Sequence, residues 1–217
     1  MNRIAFYGGT FDPVHCGHIA IARRLVDLFA LDEFFFLPAF HAPHKENTPP
    51  TAAYHRFAML ALATAAEPQV RVSGIELEHA AKRYTIETLP EIITHFPSSR
   101  IFFVMGADSW QDIRTWREWE NVLLMTNHIV VTRPGYDIGF EHVTAAVRDR
   151  IVDLRGQASP DVSSPSVEPK IFITDAVRLD VSATGIRNDV REDDRLDRED
   201  DVPNEVAKYI EKYELYK

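Results

Sequence analysis

The residues best placed to do chemistry lie in one stretch near the N-terminus, GGTFDPVHCGH, from Gly8 to His18. Two imidazoles, His15 and His18, stand three apart there, and residues three apart on a helix share a face. Gly8 and Gly9 form a turn where main chain can approach a ligand closely. Thr10 adds a hydroxyl donor, and Phe11 follows it. Three chemistries fit the histidine pair: locally satisfied helix-start residues, metal ligands with Asp12 and His41 or His44, or donors to phosphate oxygens. No cysteine cluster or HExxH spacing supports a closed metal site. The glycine turn and Thr10 gather further donors at the same spot and favour phosphate. Cys16 raises a Cys–His nucleophile, but adjacent helical residues point about 100° apart, which favours an incidental thiol. The stretch is neither a Walker P-loop, since no GK[ST] follows, nor a dinucleotide GxGxxG.

Two further constellations carry polar chemistry. Gly106-Ala107-Asp108-Ser109 follows the apolar run IFFVM, so small residues again end a strand. Asp108 either caps the next helix or accepts a ribose hydroxyl or a metal's water shell. Trp110, Trp116 and Trp119 are packing candidates, and one facing the cleft could stack on an aromatic ring. In DVSATGIRND, Ser182 or Thr184 is placed as a helix N-cap, with Gly185 and Ile186 leading into the helix. Ser182, Thr184 and Arg187 read either as a cap with a surface arginine or as a second phosphate cradle. Paired with the N-terminal stretch, they make a two-ended hold on a polyphosphate.

For such distant segments to meet, the elements between them must alternate. Strands are expected at Arg3–Tyr7, Glu33–Pro38, Val70–Ser73, Ile101–Met105, His128–Thr132 and Lys170–Thr174. Helices are expected at Gly17–Ala30, Ala52–Ala66, Thr85–Phe96, Thr115–Met125, Glu141–Asp149 and Pro203–Tyr213. Pro90 should kink the third helix or move its start. The alternation predicts an α/β protein with a doubly wound parallel sheet, ligands binding at the carboxyl ends of strands near the order reversal. His41 to Pro50 reads as a mobile surface loop and Asp153 to Pro169 as a flexible insertion. The charged run Asp189–Asp201 reads as a solvated helix end or loop. No internal repeat is evident, and residues 1–217 are expected to form a single domain with a small C-terminal helical portion from about 182 to 217.

Composition narrows the function classes. The chain has 217 residues, 45% of them hydrophobic, and carries a net charge of −9. That size suits one well-buried core, and the acidity argues against nucleic-acid or membrane binding. No run reaches the ~18 apolar residues of a membrane span, and none reads as a signal peptide, so a cytoplasmic protein is expected. One cysteine excludes an internal disulfide framework. Oligomeric state is open, a homo-oligomer included.

Taken together, these motifs resemble those of a known family. GGTFDPVHCGH is similar to the (H/T)xGH signature of the nucleotidyltransferases, and VSATGIR is similar to their second phosphate motif. PHK at Pro43–Lys45, RYTIETL at Arg83–Leu89, GADSWQDIRTWREW at Gly106–Trp119, TRPG at Thr132–Gly135 and the terminal YIEKYELY narrow the resemblance to the bacterial nicotinate-nucleotide adenylyltransferases. The resemblance implies a three-layer α/β/α Rossmann-like fold and transfer of AMP from ATP to nicotinate mononucleotide by direct in-line displacement. The products would be deamido-NAD and pyrophosphate, with Mg²⁺ bound mainly through ATP phosphates. It also implies roles. His15 and His18 would be catalytic, with Gly8, Gly9, Thr10, Phe11, Arg133, Ser182, Thr184 and Arg187 on ATP. Lys45, Thr85, Gly106, Asp108, Trp116 and Arg117 would hold the mononucleotide, Trp116 stacking on its ring and backbone amides at Thr85 and Arg117 binding its carboxylate. Arg83 stands where the family often has serine, and Arg117 where an aromatic is common. A pantetheine-phosphate adenylyltransferase or a silent nucleotide sensor are the competing expectations.

Overall fold

The structure is a computed structural model that describes residues 1–40, 49–79, 83–132, 138–157, 162, 168–175, 177, 181–193 and 201–217. Its strands are β1 (Asn2–Gly9), β2 (Glu33–Pro38), β3 (Val70–Val72), β4 (Ser99–Gly106), β5 (Asn127–Val131), β6 (Ile151–Asp153) and β7 (Ile171–Thr174). They form one open sheet in the order β3-β2-β1-β4-β5-β7-β6. Every strand pair is parallel. The helices are α1 (Cys16–Phe29), α2 (Ala53–Ala63), α3 (Thr85–His95), α4 (Ala107–Gln111), α5 (Trp119–Met125), α6 (Ala145–Arg148), α7 (Ala183–Asp193) and α8 (Asn204–Lys212).

Both faces of the sheet are covered, which is why its strands read as unbroken apolar runs rather than alternating ones. Ala5 and Tyr7 of β1 pack with Leu25 and Phe29 of α1 and Val206 and Ile210 of α8. Their neighbours Ile4 and Phe6 point to the other face, against Leu89 and Ile92 of α3 and Val122 and Leu123 of α5. The result is the doubly wound α/β/α arrangement expected. From β1 the chain steps outward through β2 and β3, then returns to place β4 on the opposite side of β1. The order therefore reverses between β1 and β4, and a crevice opens beyond their carboxyl ends.

Several boundaries differ from expectation for identifiable reasons. The expected helix Thr115–Met125 is broken. A 3₁₀ turn covers Ile113–Thr115, Trp116 is extended (φ −75°, ψ 141°), and Glu118 is left-handed (φ 51°) before α5 begins. A helical spacing of apolar residues cannot register such an interruption. Asp108 lies in the first turn of α4 and does not cap it; Gly106 holds the cap position. The helix expected at Glu141–Asp149 shrinks to α6, where the Thr144 hydroxyl accepts from the Val147 N–H. Strand β6, too short to show a period, was not expected, and it takes the start of the supposed insertion as an edge of the sheet. Pro90 does not move the start of α3, which runs through it from Thr85. Of the acidic run, Asp189 to Asp193 belong to α7, while residues 194–200 lie outside the described residues, as do 41–48 of the proline-rich loop. No helix among the described residues is long and apolar enough to cross a membrane.

One buried side chain ties this fold to pH. His128 of β5 is fully buried, with Nδ1 2.9 Å from the Thr126 carbonyl. Desolvation pushes its imidazolium down to about 4 from a usual 6.5, and that carbonyl only partly opposes the shift. The unfolded chain thus takes up this proton near pH 6.5, whereas the folded chain resists until about pH 4. Stability is fully present above that window and falls as pH drops through it, by about 3 kcal/mol for this group. In His128→Asn, the amide nitrogen can retain the bond to Thr126 without titrating. Urea denaturation between pH 6.5 and 4 should show a shallower loss of stability in the variant; an unchanged slope would assign the acid sensitivity elsewhere.

Candidate active site

At the crevice beyond β1 and β4 lies a cleft of about 510 Å³. Two glycines shape its floor. A Cβ at Gly8 would lie 2.7 Å from the Phe103 ring, and one at Gly9 would lie 2.7 Å from the Phe11 ring. Phe11 itself has a left-handed backbone, φ 51°, a conformation that a bulky residue keeps only where its surroundings enforce it. Here Tyr7, His18 and Phe36 box its ring edge-to-face at 5.4, 5.0 and 5.2 Å. The turn therefore delivers the following residues to the cleft in one fixed geometry.

His15 is the N-cap of α1 and His18 lies in its first turn. Their rings stack at 3.7 Å between centroids, both buried. The His15 N–H donates to His18 Nδ1 at 3.2 Å. An accepting Nδ1 leaves that ring's proton on Nε2, so His18 carries a donor on its far nitrogen. Among the described residues no three His, Cys, Asp or Glu side chains converge as metal ligands, and His41 and His44 lie outside them. Cys16 is half-buried and does not line the cleft. Its main-chain N–H donates to the Asp201 carbonyl at 2.8 Å.

The second polar constellation arrives from the other end of the chain. Ser182, not Thr184, caps α7: its Oγ accepts from the Gly185 N–H at 3.1 Å. Thr184 Oγ1 instead accepts from Arg187 Nη2 at 3.1 Å, while Arg187 Nη1 donates to the Asp12 carbonyl at 2.6 Å. One guanidinium thus joins the start of α7 to the turn after β1. Ser182, Thr184 and Arg187 line the same cleft as Gly8, Gly9, Thr10, Phe11, His15 and His18.

Thr85, Gly106, Asp108, Trp116 and Arg117 line the cleft as well. Thr85 opens α3, where the first main-chain N–H groups have no intrahelical acceptor. The Asp108 carboxylate folds back over Gly106, so close that a Cβ there would be 2.6 Å from Oδ1. The extended link after the 3₁₀ turn sets the Trp116 ring edge-to-face on Phe103 at 6.3 Å. Trp110, by contrast, is fully buried with Nε1 on the Gly139 carbonyl, and Trp119 packs against the core. The Arg117 guanidinium pairs with Glu87 at 3.3 Å and lies over the Tyr84 ring, so its side chain is committed to α3. Arg83 pairs with Glu91 at 2.7 Å. Lys45 and Arg133 lie outside the described residues.

Two residues at or behind the site lie outside every motif of the sequence, and a third, Tyr216, falls within the terminal YIEKYELY with no role assigned to it. Glu76 lines the cleft; burial pushes its carboxyl up to about 7, even though Thr88 donates to it at 3.0 Å and Arg83 and Arg56 lie nearby. Arg56, fully buried in α2, donates to the carbonyls of Thr51, Thr10, Ala39 and Phe40 at 2.6–3.3 Å. Its signal was an arginine in register with Ala53, Met59 and Leu60 on the buried stripe. Tyr216, the penultimate residue, reaches Asp12.

The chain is similar to known proteins along its whole length. The cytidylyltransferase-like family model matches residues 6–189. A probable nicotinate-nucleotide adenylyltransferase of Symbiobacterium thermophilum is 36% identical, over all of this chain and 96% of its own length. One of the same description from Corynebacterium jeikeium is 32% identical, over 96% of this chain and 98% of its own. Among solved structures, the Plasmodium falciparum nicotinic acid mononucleotide adenylyltransferase complexed with NaAD superposes with a TM-score of 0.75. At 19% identity, over 100% of this chain and 98% of that one, it speaks for the fold. Full-length identity above 30% and a site assembled from both ends of the chain at the carboxyl edge of a doubly wound sheet lead to one assignment: this chain belongs to the nicotinate-nucleotide adenylyltransferase family of cytidylyltransferase-like nucleotidyltransferases.

Proposed function

We propose that the chain transfers the adenylyl group of ATP to nicotinate mononucleotide, forming deamido-NAD and releasing pyrophosphate. The observation that carries this reading is a single cleft lined at once by His18, Arg187, Thr85 and Trp116. An oxygen of the mononucleotide 5′-phosphate attacks the ATP α-phosphorus. The bond from that phosphorus to the bridging oxygen breaks, and pyrophosphate leaves with the electron pair. The attacking phosphate is already anionic, so no general base and no covalent enzyme intermediate are required. The protein's task is alignment and charge stabilisation. In this reading His15 and His18 donate to oxygens around the α-phosphorus, and Gly8 to Phe11, Ser182, Thr184, Arg187 and Arg133 hold the remaining ATP phosphates and nucleoside. Asp108, Gly106 and Lys45 orient the mononucleotide, Trp116 stacks on its ring, and main-chain amides at Thr85 and Arg117 take its carboxylate.

Mg²⁺ suits this donor set as a companion of the phosphates. Of the carboxylates that line the cleft, which include Glu76 and Asp112, Asp12 and Asp108 come from separate strand ends, and Asp12 is already engaged by Thr51 and Tyr216. Bound through phosphate oxygens and water, with Asp108 open to its hydration shell, the cation would neutralise charge on the leaving pyrophosphate.

The test is pyrophosphate release from ATP with nicotinate mononucleotide, its amide counterpart and pantetheine phosphate as acceptors. Charge-assisted hydrogen bonds to the ring carboxylate should favour the acid over the amide by about ten- to a hundredfold in kcat/KM. Equal values would remove acid selectivity, and turnover with pantetheine phosphate alone would replace the substrate.

A further inference from the structure

We propose that Tyr216 is a positioning residue for adenylyl transfer, its phenol holding Asp12 and, through Asp12, both Arg187 and the Phe11 turn. The proposal rests on the activity argued above, and it concerns a residue that does not itself line the cleft.

Asp12 is buried at 6% exposure and each of its oxygens is spoken for. Tyr216 Oη donates to Oδ1 at 2.8 Å, the Thr51 N–H donates to Oδ2 at 3.2 Å, and Arg187 Nη1 donates to the main-chain carbonyl at 2.6 Å. Immediately before it stands the left-handed Phe11, whose ring packs on His18. Any shift of Asp12 therefore reaches a guanidinium that lines the cleft and the ring that braces a catalytic imidazole.

The tail is built to hold this contact. Helix α8 is pinned by Val206 and Ile210 in the core and by Tyr209, whose hydroxyl lies 2.9 Å from His55 Nδ1. After α8 the chain turns back, with the Leu215 N–H on the Ile210 carbonyl. Glu214 and Tyr216 adopt left-handed backbones at φ 49° and 72°. Non-glycine residues persist there when surrounding contacts over-determine them, and such strain gathers around functional positions. Burial, and then the neighbouring Asp12 carboxylate, push the phenol well above its usual range, so it remains a donor at every working pH.

Tyr216→Phe removes one hydroxyl and keeps the ring. Its kcat/KM for ATP should fall about tenfold, while KM for nicotinate mononucleotide changes less than twofold. Deleting residues 216–217 should give the same split. Asp12→Asn should impair ATP use as well, and the double variant Asp12→Asn/Tyr216→Phe should be no worse than the poorer single. A lowered Tm with unchanged ATP kinetics, or additive losses in the double variant, would reduce Tyr216 to a structural staple. Affinity for a non-hydrolysable ATP analogue, measured by calorimetry, should fall in parallel. That binding readout survives even if the wild type releases pyrophosphate with no acceptor, an outcome that would overturn the activity and not the positioning role.

Discussion

Replacing His18 by asparagine is expected to lower kcat for pyrophosphate release by about 10²–10³ while leaving the fold intact. The expectation follows from which nitrogen does what. His18 Nδ1 is occupied by the His15 N–H at 3.2 Å, so the donor available to a phosphate oxygen is Nε2–H. An asparagine oxygen falls where Nδ1 was, preserving the cap on His15 and removing only the far donor. Glutamine does the reverse, extending an amide nitrogen towards the Nε2 position while losing the local cap. Both rings are buried, and in such a water-poor setting one fixed donor counts for more than it would in solvent. Glutamine should therefore retain more activity than asparagine, even if it is the less stable of the two. Single-turnover rates with Tm as the control separate the effects. An asparagine variant within threefold of wild type would deny Nε2 any part in the reaction.

The hydrogen bond from the His15 N–H to His18 is written in no sequence, yet much of the frame around it was readable. Runs such as IAFY and EFFFLP announce strands buried on both sides, because a parallel sheet covered on two faces leaves no polar alternation. The serine of VSATG was legible because cap chemistry is local, whereas Gly8 and Gly9, read as a turn, are the last residues of β1, and the left-handed turn residue is Phe11. What escaped was set by distance or by tertiary override. Asp12 and Tyr216 lie 204 positions apart, and spacing rules reach only a few residues. Trp116 sits in a stretch whose apolar spacing suits a helix, but left-handed Glu118 interrupts it. The interruption is what turns the indole towards the cleft. Strand β6 is only three residues long, below the length at which a period can be recognised. Asp108 could be read equally as a cap or as a ligand contact, and only the backbone shows that Gly106 takes the cap position.

Arg56→Met should be the most damaging change away from the cleft surface, because one guanidinium satisfies four carbonyls from two separate loops, the β1–α1 and β2–α2 connections. Thr10 follows β1, Ala39 and Phe40 follow β2, and Thr51 precedes α2. Among the described residues no carboxylate pairs directly with this charge; burial lowers the proton affinity of the guanidinium, with Asp12 the largest opposing influence. An arginine nevertheless stays ionised in proteins. Methionine fills similar volume but strands four acceptors, each worth about 1.5–3 kcal/mol when its donor is charged. Relief from burying a charge offsets part of that, leaving a net loss of roughly 3–4 kcal/mol. At about 2–4 °C per kcal/mol for a domain of this size, Tm should drop by roughly 10 °C. Kinetics distinguish this hub from the tail. Thr10 belongs to the phosphate end, whereas Ala39 and Phe40 lead into the segment that carries Lys45. Arg56 variants should therefore lose kcat/KM for both substrates, where Tyr216→Phe affects ATP. Lysine keeps the charge, but a single ammonium cannot reach four carbonyls spread over both loops, so Arg56→Lys should recover little. Full recovery by lysine would mean that the charge matters and the branched geometry does not.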